Sequence, residues 1–158
     1  MIRLRKVKTS DRRYFAKWWR DKALLKVTSG ELRRITDQEV DKYFLRILND
    51  QKGLQYIISV DGKTIGHLAL EPRKGGWYET QIVIGEKSQQ GKEYGTKSIK
   101  QLIGKAKRVG VTKIYLEVRP DNTKAINAYK QSGFKAVSIK KYPKNKNLPQ
   151  TIKMVLNA

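Results

Sequence analysis

Residues 88–110 have the sequence SQQGKEYGTKSIKQLIGKAKRVG, in which a polar, glycine-bearing loop leads directly into a helical pattern. A β-rich run at residues 80–85 ends just before the loop, so the predicted order is strand, loop and helix. The first turn of a helix leaves backbone N–H groups unpaired, and the helix dipole makes that end positive. The junction therefore predicts an anion site, and we infer a phosphate as its ligand.

The loop and the helix each supply part of this site. Gly91 and Gly95 let the backbone approach a phosphate closely, and the side chains of Gln90 and Lys92 add hydrogen-bond donors. Gly110 ends the helix, whose apolar face recurs at three- and four-residue steps: Ile99, Leu102, Ile103, Ala106 and Val109. A loop of this composition is also common as a solvated turn, so the assignment depends on its neighbours.

The loop resembles the acyl-CoA pyrophosphate loop of the GNAT family of N-acetyltransferases. The family pattern is Gln or Arg, two residues, Gly, one residue, then Gly or Ala. The matching residues here are Gln90, Gly91, Lys92, Glu93, Tyr94, Gly95 and Thr96. Glu93 departs from the pattern because it stands where the family has its first glycine.

A second match follows the predicted helix. The strand at residues 110–118 precedes a set of residues similar to the family's next helix: Asn122, Ala125, Ile126, Tyr129, Gly133 and Phe134. The resemblance covers residues 57–134. The first fifty residues match only loosely, in the manner of the ribosomal-protein and aminoglycoside acetyltransferase branches.

The resemblance implies an α/β (α+β) fold, with a mixed, mostly antiparallel central sheet flanked by helices. The chain order predicts a strand, two helices, three antiparallel strands, a helix, a strand, a helix and a final pair of strands. The fourth strand, the third helix and the fifth strand at residues 113–118 form a parallel crossover. With 158 residues, the chain is expected to form one domain over residues 1–158.

Local signals place several connections. Asp-Gly at residues 61–62 lies between two β runs and predicts a hairpin, and residues 36–39 form a capping box that opens the second helix. Residues 24–34 are predicted to be irregular. The segment 142–150 is rich in Lys, Asn and Pro and is predicted to be a mobile loop.

Composition excludes several chemistries. The chain has no cysteine, so a disulfide, a thiolate metal site and a cysteine acyl-enzyme are ruled out. Any acyl transfer must be direct or use another nucleophile, and we expect direct transfer without a metal. The N-terminus lacks the apolar core of a signal peptide, and no run of eighteen apolar residues occurs. A cytoplasmic protein without a membrane span is the expectation.

The charge is strongly positive, with 35 Lys and Arg against 14 Asp and Glu and a formal net charge of +21. Such a field concentrates anions such as CoA, nucleotides and RNA, which predicts an anionic or RNA-associated partner. It repels free polycations unless a local acidic pocket around Glu71, Glu79 and Glu117 overrides it. A lysine-rich surface that serves only solubility is the alternative.

Acetyl transfer from a thioester to an amine needs a neutral amine, a polarised carbonyl and a proton for the departing thiolate. By resemblance, Tyr129 lies near the CoA sulphur and protonates it, and Asn122 contacts the pantetheine arm. The resemblance also assigns pantetheine binding to the fourth-strand backbone at Ile82, Val83 and Ile84.

The general base is less sharply marked by the sequence. Glu79 occupies a position at which related enzymes often carry a carboxylate that works through water, with Glu71 and Glu117 as alternatives, and each is also a candidate surface carboxylate. His67, the single histidine, and the pair Trp18-Trp19 are expected to be structural.

The leading interpretation is an N-acetyltransferase that uses acetyl-CoA as cosubstrate. It is expected to transfer the acetyl group to a primary amine of a protein N-terminus, a lysine or a small molecule. A basic nucleic-acid-binding module and a non-catalytic CoA-binding module are the alternatives. The protein is expected to be a monomer or a homodimer.

Overall fold

A seven-stranded sheet in the order β1-β2-β3-β4-β5-β7-β6 organises the computed structural model, which describes residues 1–157. The strands are β1 (Ile2–Lys6), β2 (Leu54–Val60), β3 (Lys63–Pro72), β4 (Tyr78–Ile84), β5 (Lys113–Val118), β6 (Phe134–Lys141) and β7 (Gln150–Asn157). The helices are α1 (Arg12–Trp19), α2 (Lys22–Val27), α3 (Asp37–Leu48), α4 (Tyr94–Arg108) and α5 (Thr123–Gln131).

All neighbouring strands are antiparallel except β4 and β5, which are parallel and joined through α4. The predicted fold class and its single parallel crossover are therefore confirmed. The hairpin between β2 and β3 is also as predicted, since Asp61 and Gly62 both have a positive φ, as a type I′ turn requires.

Two apolar cores cover the two faces of the sheet. On one face, α4 packs Ile99 and Leu102 onto the sheet, and both side chains are fully buried. On the other face, Phe15, Trp18 and Phe44 from α1 and α3 pack over β2. Each fully buried side chain of this size stabilises the fold by about 1.5–3 kcal/mol, so the cores fix both layers of helices.

The segment between the first two predicted helices differs from the prediction of an irregular chain. It contains α2, which begins where the Asp21 carboxylate accepts a hydrogen bond of 3.2 Å from the Leu24 N–H. Leu24 is buried in the second core. A cap and one anchoring contact therefore hold a six-residue helix whose sequence alone carries little periodicity. Because of this extra helix, the crossover helix is α4.

Within residues 1–157, no helix combines the length and the apolar character needed to cross a membrane. The same residues contain no group of three or more histidine or carboxylate side chains placed to hold a metal ion.

Candidate active site

A cleft opens where β4 and β5 separate. Only Tyr78 and Glu79 of β4 pair with β5, so in the described chain the β5-facing edge of β4 has no strand partner from Thr80 to Ile84. A cavity of about 640 Å³ follows this gap. Its walls include Ile82 and Gln81, whose side chains point to opposite faces of the sheet, so the cavity passes between the two strands.

The predicted phosphate loop, residues 90–96, joins the end of β4 to α4. None of the N–H groups from Gly91 to Thr96 donates to a protein acceptor within residues 1–157. These six N–H groups lie at the positive end of a 15-residue helix, beside the mouth of the cleft. Unpaired amides and a helix dipole together make an anion-binding site.

The backbone of Glu93 explains why a glycine is expected at its position. Glu93 is the N-cap of α4 and has φ 64°, in the left-handed region that disfavours residues with a Cβ. Holding it there costs about 1–2 kcal/mol. Its side chain is exposed and makes no capping hydrogen bond.

Two further side chains shape the loop. Gln90 was predicted to be a phosphate donor, but its Nε2 donates to the Ile84 carbonyl at 2.9 Å and fixes the loop to the end of β4. Lys124, at the start of α5, donates from Nζ to the Gly91 carbonyl at 3.5 Å. Lys124 was not singled out in the sequence, because the chain fold alone brings its ammonium group to the loop.

The first turn of α5 borders the same cavity. Asn122 caps this helix, since its Oδ1 accepts a hydrogen bond of 3.2 Å from the Ala125 N–H. The cap leaves the Asn122 amide N–H groups available, and both Asn122 and Ala125 line the cavity. The structure therefore brings the two predicted helix residues to the cleft next to β4.

Tyr129 lies on the same side of the cavity, with its ring packed edge-on against Phe134 at a centroid distance of 5.9 Å. No hydrogen bond ties its hydroxyl to another described residue. Burial raises the pKa of Tyr129 to about 12. The phenol is therefore protonated throughout the neutral pH range and is free to donate into the cavity.

Two carboxylates line the opposite end of the cavity, on the face that carries α1 and α2. Glu79 pairs with Arg73 through Oε1 at 2.9 Å, and Glu117 lies on the adjacent strand β5. Glu71 on β3 lies opposite Glu79 on β4 and also binds Arg73, but it does not line the cavity. Of the three carboxylates considered in the sequence, Glu79 and Glu117 thus share the site.

Glu117 is held by two hydroxyl groups. Its Oε1 accepts hydrogen bonds from the Thr151 hydroxyl at 2.6 Å and from the Tyr142 hydroxyl. Burial and the bond to this carboxylate raise the pKa of Tyr142. The second oxygen, Oε2, lies 3.9 Å from the Lys140 ammonium. Glu117 is therefore held mainly through Oε1, and Oε2 has only this longer contact.

Tyr142 and Thr151 are functional candidates that the sequence did not mark. They lie at the two ends of the β6–β7 connection, and the hairpin register brings Lys141 opposite Gln150 beside Glu117. No local sequence pattern identifies Tyr142 and Thr151, because they reach Glu117 only after β5, β7 and β6 have paired.

His67 and the tryptophan pair, which were expected to be structural, pack in or against the second core and also line the cavity. The His67 ring packs edge-on against Phe15, its Nε2 lies 2.7 Å from Gln55 Oε1, and burial lowers its pKa to about 4. Trp18 is buried against Gly85, where a Cβ would come within 2.3 Å of its indole ring. Trp19 is half-buried and forms part of the cavity wall.

Comparison with known proteins identifies the class. The model of the acetyltransferase (GNAT) family matches residues 12–134. This match covers most of the chain, and the protein therefore belongs to the GNAT family of acetyltransferases. Aminoglycoside N(6′)-acetyltransferase type 1 from Klebsiella pneumoniae is 28% identical over 138 residues, which cover 78% of this chain and 64% of that protein. The Serratia marcescens enzyme of the same name matches equally well, so the chain spans about 64% of the length of these curated relatives.

Solved structures share the fold at low identity. Spermidine N-acetyltransferase from Vibrio cholerae, in complex with CoA and spermine, has a TM-score of 0.85 and 19% identity, covering 99% of this chain and 95% of that one. Aminoglycoside acetyltransferase AAC(6′)-Ib in complex with coenzyme A has a TM-score of 0.80 and 21% identity, with the same coverage. A ribosomal-protein alanine N-acetyltransferase from Escherichia coli has a TM-score of 0.73 at 20% identity, covering 99% and 94%.

Proposed function

We propose that the protein is an acetyl-CoA-dependent N-acetyltransferase that acts on primary amines by direct transfer. The row of six unpaired N–H groups from Gly91 to Thr96, opening onto the split between β4 and β5, carries this proposal. Family membership supports it, and two of the structural neighbours were solved with coenzyme A. Acetyl-CoA supplies the acetyl thioester and a thiolate leaving group.

The binding half of the site is assigned from the loop and the cleft. The N–H groups of residues 91–96, with Lys92 and Lys124 nearby, fit the two charges of a diphosphate. The β5-facing edge of β4 at Ile82, Val83 and Ile84 has no strand partner, so backbone groups on this edge can bind an amide-bearing pantetheine arm, with the Ile84 carbonyl already bound to Gln90. Asn122 adds a side-chain amide on the opposite wall.

Two side chains are assigned to proton transfer. Tyr129 donates a proton to the departing thiolate, since its hydroxyl is free and lines the cleft on the α5 side. Glu79 takes the proton from the amine, directly or through water, because its pairing with Arg73 uses Oε1 and leaves Oε2 available. Tyr129 and Glu79 line the cavity from opposite faces of the sheet. This placement puts the proton donor on one side of the transferred acetyl group and the proton acceptor on the other.

The acceptor amine is recognised by the carboxylate end of the cavity. Glu117, oriented by Tyr142 and Thr151, attracts the cationic form of an amine, while the surrounding surface is strongly basic. Glu79 and Glu117 together supply the local acidic pocket that a polycation needs in order to approach a chain of this positive charge. Aminoglycosides and polyamines therefore belong in the acceptor screen together with peptides and single amines.

Binding of acetyl-CoA is tested by thermal unfolding. A ligand at ~100 times its dissociation constant stabilises the folded state by roughly 2.7 kcal/mol, which shifts Tm by about 5–10 °C for a chain of this length. A comparable shift with CoA and none with pantetheine alone is the expected pattern, because only the former carries the phosphates. No shift at millimolar acetyl-CoA would remove the proposed site.

A second candidate function, association with RNA, is favoured by the charge distribution. Eight lysines and no acidic residue follow Asp121. The outer side of α4 exposes Lys97, Lys100, Lys107 and Arg108 without an ion pair in the described chain. Fluorescence anisotropy with single-stranded RNA at about 50 and 200 mM salt tests it, and a phosphate-binding surface predicts a steep loss of affinity with salt. RNA binding that ignores salt would exclude this surface as its cause.

A further inference from the structure

Within residues 1–157, Lys140 is the only lysine that lines the cavity. Its Nζ lies 3.9 Å from Glu117 Oε2 and 5.3 Å from the centroid of the Tyr142 ring. A carboxylate and the face of an aromatic ring both attract a cation. The chain's own primary amine therefore lies at the carboxylate end of the cavity, where the acceptor amine is proposed to bind.

The backbone that carries Lys140 is held in place. Lys140 pairs across the β6–β7 ladder with Thr151, whose hydroxyl donates to the same Glu117. The connection that follows β6 was predicted to be a mobile loop, but Asn145 Nδ2 donates to the Ser29 carbonyl at 3.0 Å and joins it to the turn after α2. Strand pairing on one side of Lys140 and an anchored connection on the other thus keep its Cα beside the cavity.

The Lys140 side chain is much less restricted than its backbone. It is 59% exposed, whereas the side chain of Glu117 is 15% exposed. The contact of 3.9 Å between them is longer than a hydrogen bond, so no fixed pairing holds the ammonium. Lysine carries its amine on a flexible four-carbon stem. The amine can therefore move within the cavity while remaining tethered to it.

The next residue provides the contrast. Lys141 is also exposed, but successive side chains of a strand point to opposite faces, so Lys141 points away from the face that carries Lys140. Lys141 does not line the cavity. Two lysines that are adjacent in sequence thus differ in their access to an acetyl group bound in the cleft.

We propose that Lys140 is a self-acetylation site, to which the protein transfers the acetyl group of its own bound acetyl-CoA when no external amine occupies the carboxylate end of the cavity. The inference rests on the proposed acetyltransferase function and adds an acceptor that belongs to the chain itself. Tethering replaces a bimolecular encounter with an intramolecular step, which favours Lys140 over amines at ordinary concentrations.

The step uses the groups proposed for an external amine. The Lys140 ammonium loses a proton to Glu79, directly or through water, and the neutral nitrogen attacks the acetyl carbonyl carbon. The C–N bond forms and the C–S bond breaks, the thiolate takes a proton from Tyr129, and the second proton lost by the nitrogen returns to Tyr129 through water. The products are CoA thiol and a neutral acetyl-lysine, so Glu117 Oε2 loses its cationic neighbour.

Self-acetylation is tested by incubating the protein with acetyl-CoA and no amine, and by locating acetyl groups with tandem mass spectrometry after digestion. Lys140→Arg keeps the positive charge but cannot accept the acetyl group, and Lys141→Arg is the matched control. We expect Lys140 to be acetylated at least about tenfold faster than Lys141, at a rate per molecule that does not change on dilution. Lys140→Arg should lose this fast modification, and Lys141→Arg should keep it.

Two further measurements separate catalysed transfer from chemical acetylation of exposed lysines. Tyr129→Phe should slow acetylation of Lys140 by about 10²-fold and leave the slow reaction of Lys141 unchanged. An external amine that is itself acetylated should slow the modification of Lys140, because both nitrogens use the same end of the cavity. Acetylation spread evenly over exposed lysines, a rate per molecule that falls on dilution, or no effect of the external amine would each overturn the proposal.

Failure of this inference can be distinguished from failure of the proposed function. A wild type that releases CoA thiol with an external amine but leaves Lys140 unmodified in its absence would overturn self-acetylation alone. A wild type that acetylates neither Lys140 nor any external amine would overturn the proposed function as well.

Discussion

Glu93 is a residue with a side chain at a position whose backbone favours glycine. Its φ of 64° lies in the left-handed region, which glycine adopts without strain. The exposed carboxylate adds a negative charge close to the proposed diphosphate. Both effects belong to the same residue and can be separated by replacing it.

Glu93→Gly is predicted to tighten acetyl-CoA binding. Removing a like charge near the loop is worth about 1 kcal/mol, or roughly fivefold in Kd. Stability should change by less than about 1 kcal/mol, because relief of the left-handed strain offsets the greater freedom of the unfolded chain and the lost charge at the helix N-terminus. Titration calorimetry and urea unfolding measure the two effects, with Glu31→Gly as a charge-matched control on an exposed loop. Weaker binding by Glu93→Gly would show that the loop does not hold the phosphates.

Tyr129→Phe is predicted to lower kcat by about 10²-fold, the low end for general acid catalysis, because a phenol with a raised pKa donates its proton less readily. The Kd of acetyl-CoA should be unchanged, since the ring and its contact with Phe134 remain. The pKa of about 12 keeps the phenol protonated, so the wild-type rate should show no loss due to Tyr129 as pH rises from 7 to about 10. If the variant has the wild-type kcat, water rather than Tyr129 protonates the departing thiolate.

His67 makes stability depend on pH. Its folded-state pKa of about 4 lies below the value of 6.5 expected in the unfolded chain, so between these values the unfolded state binds the extra proton. The free energy of unfolding should therefore fall as pH drops from 6.5 towards 4, by about 3 kcal/mol. Urea unfolding at several pH values measures this loss. His67→Asn should be less stable than the wild type at pH 7, and its free energy of unfolding should change little from pH 6.5 to 5. If its free energy of unfolding falls with pH as steeply as that of the wild type, another group is responsible.

At the level of elements, we propose different roles for the carboxylates on β4 and β5, with Glu79 as the base and Glu117 as the group that attracts the amine. Glu79→Gln should lower kcat, because it removes the proposed base. Glu117→Gln should mainly raise the KM of the amine, because it removes the charge that attracts the acceptor while leaving Glu79 in place. Steady-state kinetics with the best acceptor at saturating acetyl-CoA distinguish them. The reverse pattern would exchange the two roles.

Prediction from sequence succeeded for elements with strong local signals and failed where tertiary contacts decide. The apolar face at Ile99 and Leu102 and the Asp61-Gly62 turn are encoded within a few residues, so α4 and the β2–β3 hairpin were predictable. The helix α2 depends on one cap and on burial of Leu24, and neither leaves a periodic pattern. The joining of Asn145 to Ser29 spans 116 residues and has no local signal at all.

The site follows the same division. The loop at residues 90–96 and the segment from Asn122 to Phe134 were recognisable because they are short and contiguous. Tyr142, Thr151 and Lys124 were missed, since each reaches the cleft only through strand pairing or helix packing. The separation of β4 from β5 after Glu79 could not be predicted from the sequence, because it depends on how the two strands pair in the folded sheet.

Across the whole molecule, a surface of net charge +21 surrounds a cavity that contains two carboxylates. If the proposed function is correct, the outer field favours the approach of acetyl-CoA and the inner carboxylates favour the amine, so different parts of the protein attract the two substrates. The encounter with acetyl-CoA should therefore slow as salt rises, while the KM of a small amine should respond less.

The central claim is that the cleft binds acetyl-CoA and delivers its acetyl group to an amine. Its most direct test is the release of free CoA thiol from acetyl-CoA in the presence of a panel of peptides, amino sugars, polyamines and simple primary amines, with Tyr129→Phe beside the wild type. We predict amine-dependent thiol release by the wild type and a strongly reduced rate in the variant. Tight binding of acetyl-CoA with no thiol release for any amine would contradict the claim and identify a CoA-binding module without catalysis.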